Sequence, residues 1–132
     1  AYPNGECLVT REYPDVNFVL DLIHSAKGIA VMAHPVMFNN TELLLELIEA
    51  GKLDGIEAYH HSATPTQQQK LVDIAKEHDL IVTGGSDFHG LYNETMTHIG
   101  SMTTDKENLD KLFRLIHINS QKANKAAVKT EK

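Results

Sequence analysis

The chain has 132 residues, 42% hydrophobic and 23% charged, a composition of ordinary globular domains rather than of disordered chains. Eighteen acids against twelve Lys and Arg leave a net charge of −6, which argues against attraction to duplex DNA or an anionic membrane. The longest apolar run, around Ile29 to Ala33, is too short to cross a bilayer, the first residues lack a secretory signal, and the single Cys7 excludes an internal disulfide. A reducing cytoplasm is the expected setting.

Asp15 stands at an N-cap position ahead of Val16, Val19, Leu20, Ile23 and Ala26, which are spaced as one face of a helix. Gly28 follows as its stop. Ile29 to Ala33 then predicts a short strand buried on both faces. Thr41 to Ala50 reads as a second helix ended by Gly51, and Gly55 to Tyr59 as a second strand. Thr64, Pro65 and Gln67 open a third helix with a cap, a first-turn proline and a capping box. It carries Leu71, Ile74 and Ala75 inward and runs to about His78, and Leu80 to Thr83 is the third strand. Thr104 and Glu107 predict another capping box, before a last helix with Leu109, Leu112, Phe113 and Ile116 on its stripe. Residues 1–12 read as an irregular lead-in, 13–118 as an α/β unit and 119–132 as a polar, flexible tail.

Alternating helices and strands predict parallel strands joined by crossover helices. Three strands are too few for a closed barrel or for the usual doubly wound sheet, so the chain reads as part of a larger fold.

In such folds the working residues gather where strands end. The first strand ends in Ala33-His34-Pro35, the second in Tyr59-His60-His61, and the third in Gly84-Gly85-Ser86-Asp87-Phe88-His89-Gly90. Asp87 and His89, two residues apart in an extended segment, can offer a carboxylate oxygen and an imidazole nitrogen to one metal ion. The bland alternative is a turn in which Asp87 caps nearby amides. His34 sits where a buried strand surfaces, and a neutral imidazole there suits a transition metal or manganese. It could instead bond backbone. Glu57 lies within a buried strand opposite Ile56 and Ala58, and a buried carboxylate needs a partner or a cation. It could orient a ligand histidine, or equally bond a lysine or backbone amides. Tyr59, His60 and His61 are weaker candidates for contacting a substrate anion, because adjacent loop histidines are more often solvated. His24, His78 and His117 fall at helix ends or on helix faces and receive no function.

The three segments Ala33-His34-Pro35, Gly55-Ile56-Glu57-Ala58-Tyr59-His60 and Thr83-Gly84-Gly85-Ser86-Asp87-Phe88-His89-Gly90, in that order, resemble the later motifs of the PHP (polymerase and histidinol phosphatase) family. The form of the last motif is most similar to the stand-alone bacterial members that act on nucleoside 3′,5′-bisphosphates and short RNA ends. The resemblance implies the C-terminal part of a distorted (β/α)7 barrel, with divalent metals at the strand carboxyl ends. It implies His34, Asp87 and His89 as metal ligands, for Mn first and Fe, Zn or Mg otherwise. It further implies phosphate-ester hydrolysis by a metal-activated water, the bound cations supplying the positive field that an acidic chain lacks.

The family's first His-x-His motif and its middle ligands have no counterpart here. The expectation is therefore a truncated half of a PHP enzyme, weakly active or inactive alone, whose exposed half-barrel edges favour self-association. The main alternative is a non-catalytic PHP-like scaffold or interaction module. A receiver-like signalling domain lacks its adjacent acidic pair after the first strand, and an amidohydrolase fits the three motifs less well.

Overall fold

Asp15 accepts the backbone N–H groups of Asn17 and Phe18, and this cap starts α1, Val16–Ser25. The computed structural model describes residues 12–90 and 97–130, with side chains as far as Lys122. Cys7 and nearly all of the expected lead-in lie outside the described residues. α1 stops as expected, but the left-handed residue at its end is Lys27 (φ 63°), not Gly28. Gly28 is needed for space, since a Cβ there would stand 2.9 Å from Ile23 Cγ2.

The elements then follow as β1 (Val31–Met32), α2 (Thr41–Glu49), β2 (Gly55–Tyr59), α3 (Pro65–Glu77), β3 (Ile81–Gly84) and α4 (Lys106–Thr130). The three strands form one parallel sheet in the order β1-β2-β3, an α/β arrangement as the alternation predicts. β1 is shorter than its apolar run: only Val31 and Met32 pair, opposite Gly55 and Ile56. β2 is central, and its alternation sorts its residues. Ile56 and Ala58 are wholly buried against Leu44, Leu47, Ile48, Leu71, Val72 and Ala75 from α2 and α3, while Glu57 and Tyr59 on the other face are only half-buried. Burying a Leu or Ile side chain stabilises by about 1.5–3 kcal/mol, so this single core anchors the strand that carries Glu57.

Capping follows the sequence closely at α3. Thr64 accepts from the Gln67 amide, and the Gln67 side chain accepts from Thr64 N–H in return. At α4 the expected box moves by one residue. Asp105, not Thr104, accepts the Asn108 amide and side-chain N–H. Thr104 Oγ1 instead accepts the Gly84 N–H at 3.1 Å, and Asn108 Oδ1 accepts the Val82 N–H at 2.9 Å.

At the edge of β3, the outward amides of Val82 and Gly84 are both satisfied by Asn108 and Thr104 from the start of α4. α4 also runs to Thr130, past the tail boundary expected at Asn119. Its Ala, Lys and Gln residues favour helix, and no Gly or Pro interrupts them. No helix among the described residues is long and apolar enough to cross a membrane.

Candidate metal centre

Each strand of the sheet delivers an ionisable group to the same end. His34 follows β1 by two residues, His60 follows β2 directly, and Asp87 and His89 follow β3. Asp87 is the hub. Its Oδ1 lies 2.8 Å from His89 Nε2 and its Oδ2 lies 3.4 Å from His60 Nε2. The hydrogen bond from His89 holds the Asp87 carboxyl below the usual aspartate range, against a smaller desolvation effect, and His60 adds to the lowering. Asp87 is therefore ionised at neutral pH and can only accept.

Adjacent histidines on the loop after β2 are expected to be solvated. His60 is instead 1% exposed. The chain folds back on itself here: Ser62 N–H donates to His60 Nδ1 at 3.2 Å, and Gln68 Nε2 donates to the carbonyls of His60 and Ala63. A backbone donor on Nδ1 makes that nitrogen an acceptor, which assigns the ring proton to Nε2, the atom facing Asp87. His60 thus packs behind Asp87 rather than at an open rim. Its ring lies 5.0 Å from that of His34 and 4.1 Å, edge-on, from that of His61. Tyr59 and His61 are partly buried.

His34 and Asp87 share a backbone feature: both have left-handed φ values, 30° and 47°. Such residues persist where their surroundings hold them and cluster at binding sites. The backbone N–H of His34 donates to Glu57 Oε2 at 2.9 Å. On the facing side a Cβ at Gly85 would stand 3.0 Å from Glu57 Oε1. Glu57 therefore meets backbone, and through the His34 amide it has one of the partners its sequence left open.

The donor atoms fit a divalent cation in kind. Two buried imidazole nitrogens, His34 Nδ1 and His61 Nδ1, have no hydrogen-bond partner among the described residues. A buried, unpartnered nitrogen is costly, and a cation would satisfy it. Among the described residues, however, no three His, Cys, Asp or Glu side chains converge closely enough to hold one ion between them.

A parallel α/β sheet with His and Asp gathered at its strand ends has its candidate site where such folds bind ligands and carry out their chemistry. Comparison with known proteins narrows that chemistry. The chain is 33% identical over 96 residues to a phosphoribosyl 1,2-cyclic phosphate 1,2-diphosphodiesterase of Eggerthella lenta, covering 73% of this chain and 36% of that protein. It is 39% identical over 85 residues to a 5′-3′ exoribonuclease of Haemophilus influenzae, covering 61% and 31%. The crystal structure of a candidate metal-dependent phosphoesterase from Bifidobacterium adolescentis superposes with a TM-score of 0.70 at 30% identity, over 86% of this chain and 41% of that one. No protein-family model matches the chain. The chain belongs to the PHP family of metal-dependent phosphoesterases, and it matches the C-terminal region of its relatives. It spans about a third of the length of the curated relatives it matches.

Proposed function

We propose that the chain carries part of the divalent-metal site of a phosphoesterase, with His34, Asp87 and His89 as ligands, and that it serves hydrolysis of nucleotide or RNA-end phosphate esters. The observation that supports this best is the delivery of His34, His60, Asp87 and His89 to one end of three consecutive parallel strands. The relatives' names, a cyclic phosphate diesterase and an exoribonuclease, supply the substrate class.

Imidazole and carboxylate donors suit Mn, Fe or Zn, with Mg a poorer match to histidine, and manganese is the first metal to test. A bound divalent ion would draw charge from the phosphate oxygens and acidify a water. The chain's own residues do the rest. Asp87, ionised and bonded on both oxygens, is held in one orientation by His89 and His60. His60 Nε2–H is the donor to Asp87 Oδ2. Tyr59 and His61, beside this cluster, are the proposed substrate contacts. The proposed setting is the cytoplasm.

The test is metal content by plasma mass spectrometry on this chain and on Asp87→Ala after growth with manganese and zinc. Hydrolysis of a nucleoside 3′,5′-bisphosphate and of a short 5′-phosphorylated RNA is measured alongside. Near-stoichiometric metal that falls in the variant is the expected result. Metal absent from both, with neither substrate hydrolysed, would favour the non-catalytic scaffold.

A further inference from the structure

Glu57 is the carboxylate of the central strand, and the proposed chemistry leaves it without a task. Its position is specific. Oε2 accepts the His34 backbone N–H at 2.9 Å, and Oε1 abuts Gly85, two residues before Asp87. His34 precedes Pro35, where steric contact with the proline ring ordinarily pushes a residue toward extended backbone. Its φ is instead 30°, and a non-glycine residue keeps such a conformation only when its neighbours over-determine it. The hydrogen bond that the amide of that same residue donates to Glu57 is such a neighbour. β1 pairs through only two residues, so the sheet ladder itself does little to fix the residues beyond Met32.

We propose that Glu57 is the positioning residue of the metal centre. It braces the ends of β1 and β3 from β2, holding His34 at the angle that sets its imidazole against the His60 ring, 5.0 Å away, and it acts as a hydrogen-bond acceptor rather than as a ligand or a base. This rests on the reading of His34 and Asp87 as ligands. What it adds is the division of labour: the donor set is held by an acceptor one strand away, and charge at that acceptor is dispensable so long as a carbonyl remains.

The test compares the wild-type chain with Glu57→Gln, which keeps one acceptor oxygen, and Glu57→Met, which keeps the bulk and loses both. Amide hydrogen exchange is followed at His34, with Ile56 and Val82 as reference amides, and Mn2+ affinity is measured by titration calorimetry. In Glu57→Met the His34 amide is expected to exchange about 10-fold faster or more while the references hold. Mn2+ affinity falls by roughly 10- to 100-fold, the usual effect of losing a group that orients a ligand. Glu57→Gln stays close to wild type in both. Unchanged His34 exchange in Glu57→Met overturns the proposal. So does a Glu57→Gln variant that keeps the protected amide yet loses Mn2+, because Glu57 would then be a ligand or base; this arm decides alone should the methionine variant fail to fold. Wild type that takes up no Mn2+ refutes the metal reading separately, and the exchange arm still decides the bracing role.

Discussion

Gly84 is the last residue of β3, and it is where the sheet is most tightly closed. A Cβ added there would stand 2.7 Å from Tyr59 Cβ, 2.8 Å from the Thr103 carbonyl oxygen and 3.1 Å from its carbon. Ordinary contact begins at 3.4 Å, so the shortfall at the Thr103 oxygen is 3.4 − 2.8, about 0.6 Å. Neither neighbour yields easily. Tyr59 is on the paired strand, and Thr103 is bridged to Gly85 while Thr104 bonds the Gly84 amide. Overpacking costs about 1–3 kcal/mol, and backbone obstacles put this case at the upper end. Stiffening the unfolded chain returns about 0.4–1 kcal/mol. Gly84→Ala is therefore expected to lose about 2 kcal/mol, a fall of about 8 °C in Tm for a chain of this size. Relieving the clash pushes Thr103 outward and draws Gly85 and Asp87 with it, so Mn2+ affinity should fall beyond what unfolding explains. Urea denaturation and calorimetric titration below the transition measure the two effects. A loss under about 0.5 kcal/mol would refute the argument, since it would mean the Thr103 segment slides without resistance.

Gly51 supplies the contrasting case: nothing lies within 4 Å of its Cβ position but its φ is +65°, so Gly51→Ala should cost about 1 kcal/mol by backbone strain alone and leave metal uptake untouched. Asp87 and Asp105 both have carboxyl groups held below the usual range, Asp87 chiefly by His89 and Asp105 chiefly by the Asn108 amide. A depressed folded pKa adds stability that is fully present above the unfolded value and is lost as pH falls through the folded one. Thermal melts should therefore weaken below the ordinary aspartate range, and less steeply in Asp105→Asn. Thr64→Ala removes the α3 capping box and should cost about 1 kcal/mol in urea denaturation. His60→Gln, whose amide nitrogen can stand in for Nε2–H, should keep Mn2+ uptake closer to wild type than His60→Ala; equal loss in both would refute the donor role assigned to His60.

Periodicity and caps carry much of the fold because they are local. Asp15, Thr64, Gln67 and the three apolar runs act within four or five residues of themselves, so α1, α3 and the alternation of helix and strand can be read directly. Where distant partners compete, local reading slips. Thr104 has the composition of a cap, but the open edge of β3 needs its donors satisfied, and Thr104 and Asn108 go there while Asp105 takes the helix. Nothing near Asn108 in the sequence announces a partner at Val82. His60 escapes local reading for a related reason. Two consecutive histidines look solvated until Ser62 and Gln68 fold the loop inward, and the Ser at the second position after His60 is the available signal.

The candidate site shows the same boundary between local and tertiary causes. That His34, Asp87 and His89 lie at strand ends follows from where the apolar runs stop. That His34 and Asp87 take left-handed backbone does not, because neither is a glycine and His34 is followed by proline, so local preference points the other way. The resolving contacts come from another strand and the residue after it: Glu57 to the His34 amide, and His60 to the Asp87 carboxylate. Glu57 acts from β2 and His60 from the residue directly after it, and β2 alone among the described strands is paired on both sides, with its core face wholly buried. The sheet's most rigid member thus carries or adjoins the groups that orient the site, and its flanking strands carry the groups proposed to do the binding. Loosening the core beneath β2, as Ile56→Ala would by about 2–5 kcal/mol, should consequently disturb metal uptake although Ile56 lies on the opposite face of the strand from Glu57.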